Sequence, residues 1–360
     1  MTLHISNYST LIHEGISPVR APKCVHFGGP DRPPRALRDL LEQRVNAVPP
    51  GGEIIWATYY FRDEALASAL IAASDRGVKV RLHMDGHPRT PQVNEAVLKK
   101  LQAHGLHGGL HVHAPAVPAL SSVHPHLHSK IYYFSAPEPV VLVGSFNPSG
   151  NDPEQPEIIA KIGDQDRGHN MLVELDEPSL VHALKEHVHN MRRPWARFRP
   201  AQNRPVASAQ AHAWFYPRLR PAVVDRHLGA LEDGARIFGA ISHLKSGVFV
   251  KCLFEAARKG AAVRLLVHDT ERRVPQATVD ALSDAGIAIT RYRHPEGLPL
   301  HAKFLLVDEG GERTSYFGSF NYNPRSRFLN REILLANRST CLFDSLSERF
   351  DLIKEEAETF

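Results

Sequence analysis

Cysteines and long apolar runs are both scarce in this chain of 360 residues. The three cysteines, Cys24, Cys252 and Cys341, lie far apart and outside any metal-ligand spacing, which argues against a disulfide framework and a cysteine zinc site. No apolar stretch approaches the roughly 18 residues that span a bilayer, and Met1 to Val19 lacks the basic-then-apolar pattern of a signal peptide. We therefore expect a cytoplasmic protein.

The chain does have ample apolar material and a mild positive charge. Hydrophobic residues make up 42% of it, enough for a core in one large domain or two of ordinary size. The formal net charge of +4 agrees with a partner that carries phosphate but does not identify one. The function must therefore be found in the motifs.

The chain contains an internal repeat. Residues 52–86 align without a gap with residues 235–269, and each copy has the pattern of a strand, a helix and a strand. In the first copy the apolar run Ile54 to Phe61 predicts a strand, and Gly77 ends the helix that follows. Such units imply parallel strands joined by a right-handed crossover. A further helix and then a histidine-bearing strand follow each copy.

The stretch 191–224 differs in composition from both halves. It holds seven arginines, five prolines and five aromatic residues but no acidic residue. The prolines favour an irregular connector between a first lobe, residues 1–190, and a second lobe, residues 225–360. A basic and aromatic segment suits a membrane surface or nucleic acid, and it suits equally well a linker whose arginines lie across the two lobes.

Each half ends in the same set of polar residues. The first half has His-Ser-Lys at 128–130 and Gly-Ser-Phe-Asn at 144–147, and the second has His-Ala-Lys at 301–303 and Gly-Ser-Phe-Asn at 318–321. The separation from histidine to asparagine is 19 residues in the first half and 20 in the second. Because side chains alternate along a strand, each histidine and the lysine two positions later face one pocket, and a strand running back delivers the serine and the asparagine.

These residue types suit the cleavage of a phosphodiester. A diester is negatively charged and repels nucleophiles, so lysine ammonium groups and asparagine amides are needed to hold its oxygens and to stabilise the charge of the transition state. Histidine titrates near neutrality, so one imidazole can attack phosphorus while another protonates the leaving oxygen. With water as the second acceptor the outcome is hydrolysis, and with an alcohol it is transfer.

The paired motifs resemble those of the phospholipase D superfamily, whose pattern is His-x-Lys-x4-Asp. The resemblance covers roughly residues 52–337. It implies an α/β fold of two pseudo-symmetric phospholipase D-like α-β-α sandwich lobes with mixed, largely parallel sheets. It also implies a phosphodiesterase or phosphatidyltransferase that works through a phosphohistidine without metal or cofactor. The residues that it marks as catalytic or phosphate-binding are His128, Lys130, Ser145, Asn147, His301, Lys303, Ser319 and Asn321.

The two motifs differ in their acidic residues. Ser135 stands where the first motif should have its aspartate, whereas Asp308 fills that place in the second. The resemblance gives this aspartate a structural role. The acid that the family has further downstream falls on Glu332 in the second half, but Asn170 takes its place in the first.

This asymmetry predicts different roles for the two histidines. In single-chain relatives the acid or amide of one half is hydrogen-bonded to the histidine of the other half and orients it; we call this residue the backing group. We therefore expect Glu332 behind His128 and Asn170 behind His301. A carboxylate makes an imidazole more basic and nucleophilic, which predicts His128 as the nucleophile. An amide orients the ring without adding charge, which predicts His301 as the acid for the leaving group.

Five further residues have two explanations each. His124 and His126 precede the first motif, and we expect them at the rim of the pocket rather than in a metal site, because other ligands would be needed. Tyr59, Tyr60 and His243 stand near the ends of the repeated strands, where lining the cleft and packing in the core are equally good explanations.

The sequence leaves two substrate classes open. The second motif and the residues up to Glu332 resemble those of bacterial cardiolipin and phosphatidylserine synthases, whereas Leu127 to Tyr132 resembles the compact nucleases of the superfamily. We favour a phospholipid, with the protein meeting the membrane from its periphery, and keep a nuclease or a phosphodiesterase acting on DNA or RNA ends as the alternative. A catalytically silent binding protein is disfavoured because all eight polar motif residues are present. The sequence does not indicate an oligomeric state.

Overall fold

The computed structural model describes residues 24–114, 125–150, 155–191, 198–209, 211–220 and 222–359. In these ranges the chain forms two mixed sheets, one of seven strands and one of eight, with helices packed on them.

The first sheet is built from the first half of the chain. Its strands are β1 (Cys24–Gly28), β2 (Glu53–Thr58), β3 (Lys79–Asp85), β4 (Leu110–His113), β5 (Ile131–Phe134), β6 (Val140–Gly144) and β7 (Asn170–Leu175). Their order across the sheet is β1-β7-β6-β5-β2-β3-β4. Strands β2, β3 and β4 are parallel, as strand-helix-strand units require, and the other pairs are antiparallel. The sheet is mixed as expected, but it is mostly antiparallel rather than largely parallel, because β5 and β6 run back on each other beyond the crossover unit.

The second sheet repeats this arrangement. Its strands are β8 (Val206–Ala207), β9 (Ala211–Tyr216), β10 (Arg236–Ile241), β11 (Ala262–His268), β12 (Ala288–Tyr292), β13 (Lys303–Glu309), β14 (Glu312–Gly318) and β15 (Glu332–Asn337). Their order is β12-β11-β10-β13-β14-β15-β9-β8, so the six strands β4-β3-β2-β5-β6-β7 have counterparts in the same order. The gapless sequence repeat therefore corresponds to a structural repeat.

The helices connect and cover these strands. Those in the described ranges are Ala36–Ala47, Glu64–Asp75, Gln92–His104, Pro156–Ile162, Pro178–His189, Val223–Ala230, Val248–Arg258, Gln276–Asp284, Pro324–Phe328 and Thr340–Thr359, with short 3-10 turns at Gly105–Gly108 and Pro200–Asn203. Among the described residues, no helix combines the length and the apolar character that crossing a membrane requires.

The first crossover helix, Glu64–Asp75, shows why the repeated unit folds as it does. The side chain of Asp63 accepts a hydrogen bond from the Leu66 N–H at 2.7 Å and so caps the helix start. Leu66 and Leu70 lie one turn apart and are fully buried on the face toward the sheet. Burial of each leucine stabilises the fold by about 1.5–3 kcal/mol, so this face anchors the helix between β2 and β3.

The connector predicted for residues 191–224 is only partly irregular. Strands β8 and β9 extend the second sheet, and β9 pairs antiparallel with β15 along its whole length. Ala211, Ala213 and Phe215 alternate with more exposed neighbours and point into the core, a period-two pattern that the surrounding prolines obscure in the sequence. The arginines at 192, 193 and 197 lie outside the described residues.

The two halves share a core. One hydrophobic cluster contains Ile131 and Val143 of the first sheet together with Phe304 and Phe317 of the second, and helices 178–189 and 340–359 contribute to it. The strands that follow the two histidine motifs are therefore held together by apolar packing, which fixes the position of one half-site relative to the other.

Candidate active site

Each histidine lies just before a strand, in an extended segment that pairs with the other half of the chain. Two isolated parallel bridges join Leu127 to Arg331 and His169 to Leu300. The backbone N–H of His128 donates to the Arg331 carbonyl at 2.9 Å, and that of His301 donates to the His169 carbonyl at 3.0 Å. The alternation of side chains along a strand predicts that each histidine lies within a strand. In the structure, β5 begins only at Ile131 and β13 at Lys303. The residue that follows each bridge, Glu332 or Asn170, therefore lies beside the histidine of the other half.

Glu332 and Asn170 are the two backing groups. His128 Nδ1 lies 2.8 Å from Glu332 Oε2, and His301 Nδ1 lies 2.9 Å from Asn170 Oδ1. The structure therefore brings together the two pairs that the sequence predicts. When the Nδ1–H of each ring donates to its backing oxygen, Nε2 carries the lone pair, which is the form needed to attack phosphorus or to accept a proton.

The motif serines hold the backing groups. The hydroxyl of Ser319 donates to Glu332 Oε2 at 2.6 Å, and that of Ser145 donates to Asn170 Oδ1 at 3.0 Å. Each hydroxyl oxygen also accepts a backbone N–H, from Ile333 and from residue 171, at 3.1 Å. The serines predicted to bind substrate are thus placed behind the histidines, where they fix the orientation of the carboxylate and the amide.

The glycine of each Gly-Ser-Phe-Asn motif permits this contact. A Cβ at Gly144 would lie 2.0 Å from the Met171 carbonyl oxygen, and one at Gly318 would lie 2.3 Å from that of Ile333. Both distances are far shorter than any real contact, and Gly318 also has a φ of 143°. Any other residue would push the strand away from its neighbour and lift the serine off the backing group.

The two motif lysines are buried beside the histidines. Each Nζ donates to the carbonyl of its own histidine at 2.7 Å, Lys130 to His128 and Lys303 to His301. Burial lowers the pKa of Lys130 to about 8 and lowers that of Lys303 well below its usual range. Buried ammonium groups are stabilised by a nearby anion, so this pocket is suited to a phosphate.

The charges of the site act on both imidazoles. Burial lowers the pKa of His128 to about 4, with Lys130 and Lys303 adding to the decrease, although the Glu332 carboxylate raises it. Burial also lowers the pKa of His301 well below its usual value, as do the charges of both lysines and of His128 itself. The two histidines therefore belong to one electrostatic site.

An aromatic ring supports the first half-site. The centroid of the Tyr59 ring lies 4.9 Å from the centroid of the His128 ring and 5.4 Å from Lys130 Nζ. The Tyr60 N–H donates to Asn147 Oδ1 at 3.3 Å. Both tyrosines are also buried in a small hydrophobic cluster with Val93 and Ile162, so they adjoin the half-site and pack in the core at once. His243 lies in the second half-site, where its backbone carbonyl accepts the Tyr322 N–H at 3.2 Å.

Asp164 joins the site although the motifs do not reveal it. Its Oδ2 accepts from Asn147 Nδ2 at 2.6 Å, its Oδ1 accepts from Asn170 Nδ2 at 3.0 Å, and His301 Nδ1 lies 3.3 Å from Oδ1. The signal in the sequence is the Asp-Gln-Asp run at 164–166, six residues ahead of the amide that replaces an acid. This run has no counterpart at the matching place in the second half.

Two further charged residues position the backbone of the site. Arg273 is buried and donates to the Gly163 carbonyl at 3.1 Å and to Ser242 Oγ at 2.9 Å, so it ties the segment before Asp164 to the second half. Asp85 accepts the Leu127 N–H at 2.7 Å and holds the segment that leads to the first histidine. Single-residue patterns cannot reveal contacts between residues that lie far apart in the sequence.

The other predicted residues lie around this centre. Asn321 is buried, and its Oδ1 has no hydrogen-bond partner among the described residues. His126 is buried at the edge of the site, 3.3 Å from an Arg325 nitrogen, whereas His124 lies outside the described residues. Asp308 lies near the end of β13, where it accepts from Arg236 at 2.5 Å and from the Gly311 N–H of the following turn at 3.0 Å.

Within the described ranges, one group of side chains could share a metal ion, and it lies elsewhere. Asp75, His104 and His107 are at the C-terminal ends of first-half helices. In a strand-helix-strand unit those ends lie at the edge of the sheet opposite to the strand ends that carry Tyr59 and Asp85. The cluster is therefore separate from the histidine pair.

The sequence matches a known family and known proteins. A family model described as the PLD-like domain of cardiolipin synthase matches residues 51–191 and 235–354, ranges that contain both histidine motifs. Cardiolipin synthase B of Escherichia coli strain K12 is 27% identical over 301 residues, which cover 78% of this chain and 69% of that protein.

Two solved structures are similar to this one. Phosphatidylserine synthase from Haemophilus influenzae Rd KW20 has a TM-score of 0.67 at 12% identity, covering 94% of this chain and 87% of that one. Polyphosphate kinase from Porphyromonas gingivalis has a TM-score of 0.59 at 13% identity, covering 92% of this chain and 50% of that one. At such low identity the likeness concerns the fold alone, and it confirms the predicted α/β arrangement of mixed sheets.

Proposed function

The chain belongs to the family of the phospholipase D-like domain of cardiolipin synthase, and from that premise we propose that it transfers a phosphatidyl group between alcohols through a phosphohistidine on His128. Hydrolysis is the same reaction with water as the acceptor. The relative named cardiolipin synthase B supports a phospholipid as the substrate.

The observation that carries this proposal is the exchange of backing groups between the halves. One imidazole is paired with a carboxylate, Glu332, and the other with an amide, Asn170. Two buried lysines adjoin the same rings. One nucleophile, one proton donor and a cationic pocket are what cleavage of a charged diester requires.

The first step forms the covalent intermediate. His128 Nε2 donates its lone pair to phosphorus, and the bond from phosphorus to the leaving oxygen breaks. His301 passes its proton to that oxygen, so the first alcohol leaves neutral. Lys130 and Lys303 neutralise the phosphoryl oxygens as charge develops on them.

His301 must carry a proton when the substrate is bound, although burial and the lysine charges lower its pKa. A phosphate anion between the two lysines offsets those charges and raises the pKa of the imidazole. Substrate binding itself thus prepares the acid.

The second step releases the product. His301, now neutral, takes the proton of the incoming alcohol, whose oxygen attacks phosphorus. The bond from phosphorus to His128 Nε2 breaks, and its electron pair returns to the imidazole. Both histidines end in the states in which they began.

The reaction so written needs no metal ion. A divalent cation in other phosphodiesterases polarises the phosphoryl oxygens and neutralises charge. Here the ammonium groups of Lys130 and Lys303, which a bound phosphate anion stabilises, supply positive charge at the same place. We therefore propose metal-independent turnover.

Labelled phosphatidylglycerol offered to the purified protein in excess EDTA tests the function. Cardiolipin with free glycerol indicates transfer, and phosphatidic acid with glycerol indicates hydrolysis. Single-stranded DNA is offered in parallel. Cleavage of DNA without turnover of lipid would replace the phospholipid proposal with a nuclease.

We further propose that the protein meets the membrane through a surface beside the site, the apolar rim formed by Leu219, Val248 and Phe328. Their exposed fractions are 89%, 42% and 39%. Val248 and Phe328 line one cavity of about 110 Å³, and the Arg218 N–H donates to the Arg327 carbonyl at 2.9 Å, which brings the loop of Leu219 to the same place.

This apolar rim adjoins the catalytic residues and is surrounded by positive charge. Ser326, in the short helix that ends at Phe328, donates to Glu332 Oε1 at 2.7 Å. The side chains of Arg220, Lys245 and Lys251 are exposed around the rim. Apolar side chains among basic ones suit an anionic membrane surface, because the apolar groups enter the lipid while the cations meet its headgroups.

Vesicle sedimentation with phosphatidylglycerol and with phosphatidylcholine alone tests the apolar rim. Leu219→Glu should weaken binding to anionic vesicles, whereas Ala103→Glu, the same charge change on an exposed first-half helix, should not. Equal binding by the two variants would rule this surface out.

A further inference from the structure

The first half lacks the acid that the second half has, yet a carboxylate stands directly behind the amide that replaces it. Asn170 occupies the place that corresponds to Glu332, and its Nδ2 donates to Asp164 Oδ1 at 3.0 Å. We propose that Asp164 is a positioning residue that supplies, through Asn170, the negative charge that the first half lacks behind His301. This inference rests on the proposed function, because it concerns the group that protonates the leaving oxygen.

Asp164 fixes two amides at once. Its other oxygen accepts from Asn147 Nδ2 at 2.6 Å, while Asn147 Oδ1 accepts the Tyr60 N–H at 3.3 Å. These contacts settle which end of each amide faces the site. Asn170 must point its oxygen at His301 Nδ1, because its nitrogen is engaged by the carboxylate. The imidazole is thereby held with its proton on Nδ1.

The second half achieves the same orientation without a relay. There Glu332 contacts His128 directly, and the side chain that corresponds to Asn147, Asn321, is not bonded to a carboxylate among the described residues. The two half-sites therefore differ in how far the charge stands from the ring. His128 Nδ1 is 2.8 Å from a carboxylate oxygen, and His301 Nδ1 is 3.3 Å from one, with the amide oxygen nearer.

The hydrogen-bond partners of Asp164 are those that a carboxylate requires, because Asn147 and Asn170 both donate to its oxygens. Burial raises the pKa of Asp164 above its usual value, while these two donors and the charges of Lys303 and Lys130 act in the opposite direction. A carboxylate polarises the amide that it accepts from, so Asn170 Oδ1 becomes a stronger acceptor for His301. An acid that has to keep its proton at neutral pH gains from such a partner.

A neighbouring aspartate, Asp166, serves as a control that distinguishes the proposed role of Asp164 from the general effect of a buried acidic residue. Asp166 is also buried, but neither of its oxygens has a hydrogen-bond partner among the described residues. Replacing either aspartate by asparagine removes one buried carboxylate from the same segment. Only Asp164→Asn removes the charge behind Asn170.

Turnover of phosphatidylglycerol by wild type, Asp164→Asn and Asp166→Asn tests the inference, with thermal denaturation as the check on folding. Asp164→Asn should lower kcat roughly 10- to 100-fold, as is typical when a group that orients a reacting residue is lost, with KM little changed. The alkaline limb of its pH profile should move to lower pH, because the imidazolium loses a stabilising negative charge. Phosphoenzyme formation from a nitrophenyl diester should be nearly normal, since that leaving group needs no proton.

The exchanged variant Asp164→Asn/Asn170→Asp should recover most of the loss, because the carboxylate then contacts His301 directly. Equal activity in Asp164→Asn and Asp166→Asn, or equal losses with the lipid and the nitrophenyl diester, would overturn the inference. If the wild type turns over no diester, the proposed function fails. The inference is then decided by ¹⁵N NMR of the His301 ring, whose pKa should fall in Asp164→Asn and not in Asp166→Asn.

Discussion

Replacement of Glu332 by glutamine changes one charge in the site and leaves its shape intact. The carboxylate accepts four hydrogen bonds, from His128 Nδ1 at 2.8 Å and Ser319 Oγ at 2.6 Å on Oε2, and from Ser326 Oγ at 2.7 Å and Asn330 Nδ2 at 3.4 Å on Oε1. Glutamine keeps one oxygen but turns the other into a donor. The two serine hydroxyls can rotate to accept from it, whereas His128 and Asn330 cannot do so without cost.

Two magnitudes bound the effect on nucleophilic attack. A hydrogen bond to a charged group contributes about 1.5–3 kcal/mol and a neutral one about 0.5–1.5 kcal/mol, so loss of charge alone removes about 1–1.5 kcal/mol. At 1.36 kcal/mol for each factor of ten, attack slows roughly 5- to 13-fold. If the amide nitrogen faces His128, the ring proton moves to Nε2 and the nucleophile is lost, which in a comparable histidine site reduces turnover about 10⁴-fold.

Asn330 decides between these outcomes. Its Oδ1 accepts the His126 N–H at 3.2 Å, so its nitrogen is held toward Oε1 and opposes a second donor there. In Glu332→Gln this opposition favours the damaging orientation, in which the introduced amide nitrogen faces His128. The double variant Glu332→Gln/Asn330→Asp offers an acceptor beside the position of Oε1 and should therefore recover activity.

Quenched-flow measurement of the acid-labile phosphoenzyme gives the rate of attack directly. Glu332→Gln should be at least fivefold slower than wild type and slower than Asn170→Ala, and the double variant should be faster than Glu332→Gln. A rate for Glu332→Gln within twofold of wild type, with an unchanged melting temperature, would refute the assignment of His128 as the nucleophile activated by Glu332.

Four other outcomes follow from the site. His128→Ala should form no phosphoenzyme, whereas His301→Ala should accumulate one on the His128 peptide when the leaving group needs no proton; an adduct on His301 in the wild type would reverse the two roles. Turnover should survive excess EDTA. If EDTA abolishes turnover and zinc or magnesium restores it, His126 belongs to a metal site rather than to the rim of the pocket. Inorganic phosphate should raise the pKa of His128 above about 4, because the anion offsets the lysine charges; an unchanged NMR titration would contradict this. Asp308→Asn should lower the free energy of unfolding by about 1–2 kcal/mol at unchanged turnover, since its partners are Arg236 and Gly311, and lost turnover at unchanged stability would contradict a structural role.

The repeat made the fold predictable. Local spacing shows a helix between two strands in each copy, because Leu66 and Leu70 lie one turn apart and glycine ends the helix. Nearly equal spacing of the motifs, 19 and 20 residues, then places both histidines at equivalent points of equivalent sheets. The strand β9 was hidden because Pro205 and Pro217 flank it and its period-two pattern is short.

The residues that the sequence did not reveal are those whose partners lie in the other half or far along the chain. Arg273 donates to the Gly163 carbonyl across 110 positions, and Asp85 accepts from Leu127 across 42. Asp164 belongs to no repeated motif, so comparison of the halves passes over it. A carboxylate that influences a histidine can come from any segment that the fold places beside the ring. Aligning the two halves finds this carboxylate only when it occupies the motif position at which the family has its acid.

The two half-sites share one backbone and differ in their side chains. The histidine N–H bonds to the opposite half measure 2.9 and 3.0 Å, and both lysines reach their carbonyls at 2.7 Å. In the proposed two-step transfer one ring must be neutral while the other holds a proton. Direct contact with Glu332 and relayed contact with Asp164 give the rings unequal electrostatic surroundings at equal geometry. The proposed roles of nucleophile and acid depend on this difference between the side chains behind the two histidines.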